Sequence, residues 1–172
     1  MRVLVVFESI WGNTRTLAEA MARALEGTCT VSLVDSDTAP VRVEGYDLVI
    51  VGGPTHAFSM SRPSTRQAAA KRDAGAHPAA RGIREWLDEL EPITTDTPAA
   101  AFDTRVAAPR LPGSAAKAIR HELRSRGFQV SARPKSFPVH DYEGPLVEGE
   151  VERAQAWALG IRDVVVPAGS TP

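Results

Sequence analysis

A chain of 172 residues with 20 Lys and Arg against 21 Asp and Glu and 43% hydrophobic residues is long enough for one domain with a sizeable core. Its single cysteine, Cys29, excludes an intrachain disulfide and a dithiol redox pair, so any redox chemistry has to come from a bound group. No apolar stretch approaches the roughly 18 residues of a membrane span, and Met1-Arg2 leads directly into an apolar strand, so a cytoplasmic protein with no membrane partner is expected. The basic residues are uneven, with six at 62–84 and eight at 105–135, while the acidic ones gather at 85–91 and 141–152. Because the basic residues mix with alanine at helical spacing and lack interleaved aromatics, they read as solvated helix faces, and no nucleic-acid partner is expected.

In chain order, Val3-Leu4-Val5-Val6-Phe7 is an unbroken apolar run, the pattern of a strand buried on both faces. It enters the loop Glu8-Ser9-Ile10-Trp11-Gly12-Asn13-Thr14, and from Arg15 the period changes, with Leu17, Met21 and Leu25 marking an amphipathic helix that Gly27 ends. Such a loop at a helix start collects unpaired N–H groups and can hold an anion without any lysine. Residues 28–34 alternate and form a second strand at an edge, with Cys29 a small structural residue rather than a nucleophile. Residues 35–44 make an irregular crossing, and 47–54 is a third, buried strand running into Gly52-Gly53-Pro54. Within a basic insertion at 61–80, Pro63 begins a helix that Gly75 and Pro78 break. From Ala80 another helix turns Ile83, Trp86, Leu87 and Leu90 inward and stops at Pro92.

Residues 99–105 supply a fourth strand with its exit loop, Phe102-Asp103-Thr104-Arg105. Ser114 is the N-cap of a helix over 115–126, and 128–132 reads as the fifth strand. Residues 134–145 then form a loop in which Phe137, Val139 and Tyr142 pack on the domain. His140 and Asp141 adjoin without a second spaced ligand pair, so no metal is expected. A closing helix over 147–162 carries Trp157 into the core, and the domain ends near 163 with a tail at 164–172. Strands separated by helices define an α/β fold with a parallel sheet, whose crevice at the carboxyl edge falls at 9–14 and 54–61.

The run Ser9-Ile10-Trp11-Gly12-Asn13-Thr14 resembles the phosphate loop of the flavodoxin-like FMN-binding proteins, and Gly53-Pro54-Thr55-His56 is similar to their loop after the third strand. The resemblance spans 1–162 and implies a three-layer α/β/α sandwich with a five-stranded parallel sheet of order 2-1-3-4-5. It implies that Ser9, Thr14 and the amides of Ile10, Trp11, Gly12 and Asn13 hold the FMN phosphate. Trp11 stands where the family commonly has a hydroxylic residue, leaving an indole to cover part of the ligand. Pro54, Thr55, His56, Ala57 and Phe58 take the place that meets the flavin ring, with Phe102, Asp103, Thr104 and Arg105 on its other side or beside the ribityl chain. His56 donates to a flavin carbonyl, accepts a substrate proton or caps the loop, while Phe58 stacks on the ring or anchors the loop. Arg62 and Arg66 either read an anionic substrate or partner, or simply lie on a solvated surface.

The function implied is FMN binding with electron transfer to a redox partner protein or a small-molecule acceptor. Carrier flavodoxins are strongly acidic, whereas this chain is nearly neutral and basic near the implied site, which keeps an FMN-dependent NAD(P)H or quinone oxidoreductase as the enzyme alternative. A binding or regulatory module that has lost FMN is the alternative of another class, since fold does not guarantee function.

Overall fold

The computed structural model describes residues 1–93, 96–109 and 112–165. Five strands, β1 (Arg2–Phe7), β2 (Thr30–Asp35), β3 (Leu48–Pro54), β4 (Ala99–Val106) and β5 (Lys135–Val139), pair in parallel in the order β2-β1-β3-β4-β5. The intervening helices are α1 (Asn13–Glu26), α2 (Pro63–Arg72), α3 (Ile83–Glu89), α4 (Ala115–Ser125) and α5 (Glu150–Val165). Strand period decides the layers: Val3, Val5 and Phe7 pack with Leu17, Met21 and Ala158 of α1 and α5, while Leu4 and Val6 share a core with Trp86, Ile119 and Leu123 of α3 and α4. With helices on both faces the central strands have no solvent side, which is why β1 and β3 read as continuous apolar runs. Helix α2 is different, burying only Arg66 and Ala69, the latter against Ile10 and Ala76 beside the loop that follows β1.

The fifth strand is not where the alternation of 128–132 placed it. Gln129 makes only an isolated bridge to Pro98 at the start of β4, and β5 itself lies at Lys135–Val139, inside the stretch expected to be a loop. Pro138 within it is incompatible with a central strand, yet β5 pairs with β4 alone, and an edge strand leaves one row of amide positions unused. The Pro138 carbonyl points outward and accepts the Val147 N–H at 3.1 Å, so the missing proline N–H falls on the same outer side and costs no bond to β4.

Three boundaries also move. Residues 102–105 are not an exit loop, because β4 continues to Val106 and pairs Thr104 with Pro54 and Val106 with Val139. Helix α3 begins at Ile83 rather than Ala80, since Asp37 accepts the Arg81 N–H at 2.6 Å and the Arg81 guanidinium donates to the Ser36 and Ala39 carbonyls, holding that residue outside the helix. Helix α5 runs to Val165, so residues 164 and 165 of the expected tail are helical, and 166–172 lie outside the described residues.

Candidate functional site

Parallel strands send all their carboxyl ends to one edge, and the loops leaving β1, β3, β4 and β5 meet there. The β1 loop turns into α1 at Gly12, which caps the helix at φ +88°, a left-handed conformation that glycine takes without steric cost. No side chain caps this end of α1 and its first turn holds no carboxylate, so the opening amides and the positive end of the helix dipole face the cleft. The Ser9 hydroxyl is buried with no hydrogen-bond partner among the described residues. The Thr14 hydroxyl pairs with that of Thr104 at 2.8 Å, joining the β1 loop to the end of β4. Asn13 donates from Nδ2 to the Glu143 carbonyl at 2.9 Å, which ties the loop after β5 to the same place. Ser9, Asn13, Thr14, Thr104 and Tyr142 thus surround a cleft of about 40 Å³.

The loop after β3 is a tight turn in which His56 and Ser59 exchange backbone hydrogen bonds at 2.8 and 3.0 Å. Its central residues, Ala57 and Phe58, have φ of 44° and 72°, a left-handed pair that non-glycine residues hold only under strain. Gly113 lets the next loop press on this turn, since a β-carbon there would lie 2.0 Å from the Phe58 carbonyl oxygen. Phe58 is 55% exposed, and a hollow of about 160 Å³ opens between Thr55, Ala57 and Phe58 on one side and Arg105, Val106 and Pro112 on the other.

Two expected contacts lie behind the site instead. Phe102 is fully buried, its ring edge-on to Phe137 and Trp157 at 6.1 Å, and it faces the α5 layer rather than the cleft. Asp103 is also fully buried, and its Oδ2 accepts from Ser114 Oγ at 2.6 Å, Ala116 N at 2.9 Å and Thr55 Oγ1 at 3.0 Å. It therefore fastens the start of α4 to the β3 loop. Thr104 and Arg105 do reach the cleft, as do Pro54, Thr55 and His56. Ile10 turns its side chain away into the small cluster with Ala69 and Ala76, while its carbonyl accepts the His77 N–H at 2.8 Å.

Trp11 stacks on His56 with centroids 5.7 Å apart and planes 16° from parallel, and it donates from Nε1 to Asp73 Oδ2 at 2.8 Å. Tyr142 makes a T-shaped contact with the indole, centroids 5.3 Å apart, and carries the Arg72 guanidinium over its own ring at 4.1 Å. Sequence reasoning treated Tyr142 only as a residue packing on the domain. Its place at the site follows from the true position of β5, whose carboxyl end delivers the next loop to the shared edge. Burial pushes the His56 pKa below its ordinary 6.5, with the nearby Arg66 charge adding to the effect, so its imidazole is neutral at pH 7.

Next to Ser9 in the chain, the buried Glu8 carboxylate accepts from the Ser61 hydroxyl and from Ile83 N at 2.8 Å. Desolvation raises its pKa above 4.5, opposed by those two hydrogen bonds and by Arg66. Arg66 does not read a substrate: its side chain is 3% exposed, pairs with Glu85 at 2.9 Å and donates to Ser61 Oγ at 2.9 Å. Arg62 remains exposed, with its backbone N–H donated to Thr65 Oγ1. Among the described residues no group of three or more His, Cys, Asp or Glu is placed to hold a metal, and no helix is long and apolar enough to cross a membrane.

A five-stranded parallel sheet of order 2-1-3-4-5, layered between helices and opening at its carboxyl edge, is the flavodoxin-like fold. No protein-family model and no curated protein sequence matches this chain. Solved structures do match: oxidised Flavodoxin 2 from Bacillus cereus superimposes with a TM-score of 0.70 at 19% identity, covering 95% of this chain and 99% of that one. A flavodoxin from the domain Archaea gives 0.66 at 18% identity over 96% and 99%. The flavodoxin, WrbA-like protein from Agrobacterium tumefaciens gives 0.58 at 17% identity over 95% and 96%.

Proposed function

We propose that this protein binds FMN and transfers electrons through it. The observation that carries the reading is the Ser9 hydroxyl, buried without a partner among the described residues at the uncapped start of α1, where a phosphate would satisfy both it and the helix amides. The residues present fit the cofactor in two further ways. Thr14 and Thr104 add hydroxyls beside the same cleft, and the hollow between the Thr55–Phe58 turn and the β4 exit is an apolar slot next to it. When bound, the flavin supplies the electron chemistry, while the protein holds the phosphate, orients the ring and excludes water.

The small-molecule oxidoreductase reading is favoured over a carrier of protein partners by one feature, a groove of about 450 Å³ beside the site that is open to solvent and large enough for a second small molecule.

An FMN titration followed by flavin fluorescence tests the cofactor. Ser9→Ala removes a hydroxyl that has no partner to lose among the described residues, so the fold is expected to keep its stability. Affinity for FMN is expected to fall about tenfold or more, the equivalent of one hydrogen bond to a charged group. Absence of saturable binding to the parent protein refutes the flavoprotein reading and leaves a flavodoxin-like module with another partner.

A further inference from the structure

The groove beside α2 has a composition that the cofactor site does not require. Trp11, His56 and Tyr142 give it aromatic walls, Ala68 and Ala69 a shallow floor without branched side chains, and Arg72 a cation at the rim. A guanidinium stacked on an aromatic face keeps its in-plane N–H donors available to a planar anion, which Arg matches with two parallel hydrogen bonds. No carboxylate lines the groove among the described residues. Nearby carboxylates are already engaged: Asp73 accepts from Trp11 Nε1 and Gly75 N, and Asp141 Oδ1 accepts from Tyr142 N at 2.7 Å. The walls are also fixed from outside, since Trp11 is held by Asp73 and His56 and Tyr142 lies between Trp11 and Arg72.

We infer that this groove is a binding site for a small planar aromatic acid, one or two fused rings bearing a carboxylate, with the rings against Trp11 and Tyr142 and the carboxylate on Arg72. Its volume of about 450 Å³ lies within the range of small-molecule pockets, and a flat apolar slot with one cation at its mouth selects a flat molecule with one charge. The site goes beyond FMN binding: it shares Trp11, Thr55, His56 and Tyr142 with the cleft at the start of α1, but Thr65, Ala68, Ala69 and Arg72 of α2 belong to the groove alone and lie across the Thr55–Ala57 turn from the slot assigned to the flavin ring.

The test uses the full chain and 2-naphthoate as the probe, titrated by calorimetry with and without FMN, and 2-naphthamide as its uncharged counterpart. Saturable binding of the naphthoate at or below about a millimolar, with the amide about tenfold weaker, is the result expected for a guanidinium–carboxylate contact. Arg72→Gln should remove the preference for the acid, and Ala68→Trp, at an exposed position, should fill the groove and abolish binding of both probes. FMN affinity should be unchanged in both variants, and Ser9→Ala should leave naphthoate binding unchanged. Lack of saturable naphthoate binding overturns the proposal, as does binding that ignores both substitutions. Mutual displacement of naphthoate and FMN also overturns it, since the groove would then be part of the cofactor's own site. A protein that binds naphthoate and not FMN keeps this proposal and refutes the flavoprotein reading alone.

Discussion

Replacing Arg66 with leucine breaks a buried polar network rather than a surface contact. Its guanidinium contacts both Ser61 and Glu85, and it stands close to Glu8, which is 1% exposed. Breaking a buried pair by removing one partner costs about 3–5 kcal/mol because the other charge stays behind. Glu85, with 27% of its side chain exposed, regains water, so the lower end of that range, about 3 kcal/mol, applies here. For a chain of this length, that corresponds to a fall in Tm of about 6–12 °C. The loss should depend on pH in a definite direction. Desolvation raises the Glu8 pKa above 4.5, so the folded state holds that proton more tightly than the unfolded chain. The resulting stabilisation is complete below pH 4.5 and fades as pH rises through the raised value. Arg66 is among the groups that hold this pKa down, so removing it raises the value further, and the gap between parent and variant widens from pH 5 to pH 8. Thermal unfolding followed by circular dichroism across that range measures both effects. A fall under about 2 °C, or a gap that is constant or shrinks with rising pH, would refute the reasoning.

Two further predictions rest on single positions. A β-carbon at Gly52 would lie 2.1 Å from the Phe102 ring, which Phe137 and Trp157 hem in, so Gly52→Ala should cost about 1–3 kcal/mol by overpacking. A double variant with Phe102→Leu should recover part of that loss in a chemical denaturation series, and purely additive losses would count against the contact. His56 should titrate below 6.5 in an NMR pH series, and Arg66→Leu should move it upward without restoring it fully, because burial is the larger cause. An unshifted titration in the parent protein would remove the electrostatic picture of that loop.

Local pattern settled most of the architecture. The apolar runs of β1 and β3, the alanine-spaced helix α1 with Gly27 at its end, and the Pro63 start of α2 all appear where periodicity and backbone chemistry place them, because each depends on neighbours within a few residues. The Gly12 turn was legible for the same reason. Pairing between distant segments was not. A strand containing Pro138 is compatible with the fold only because it occupies the sheet edge with its carbonyl outward, and edge position is a property of the whole sheet. The direction of Phe102 and Asp103 depends on the strand period continuing past the expected exit, which the ladders to β3 and β5 enforce. Arg66 looked like a surface cation because nothing nearby in sequence announces Glu8 and Glu85, and Tyr142 looked incidental until the carboxyl end of β5 brought it to Trp11. The sequence by itself thus determined most of the elements, their parallel layering and the glycine turn that starts α1, since these follow from local backbone preference and the period of apolar residues. Only the tertiary structure decided which polar side chains are buried together and which aromatic rings share a groove, because desolvation and ring contact arise between residues the chain keeps far apart.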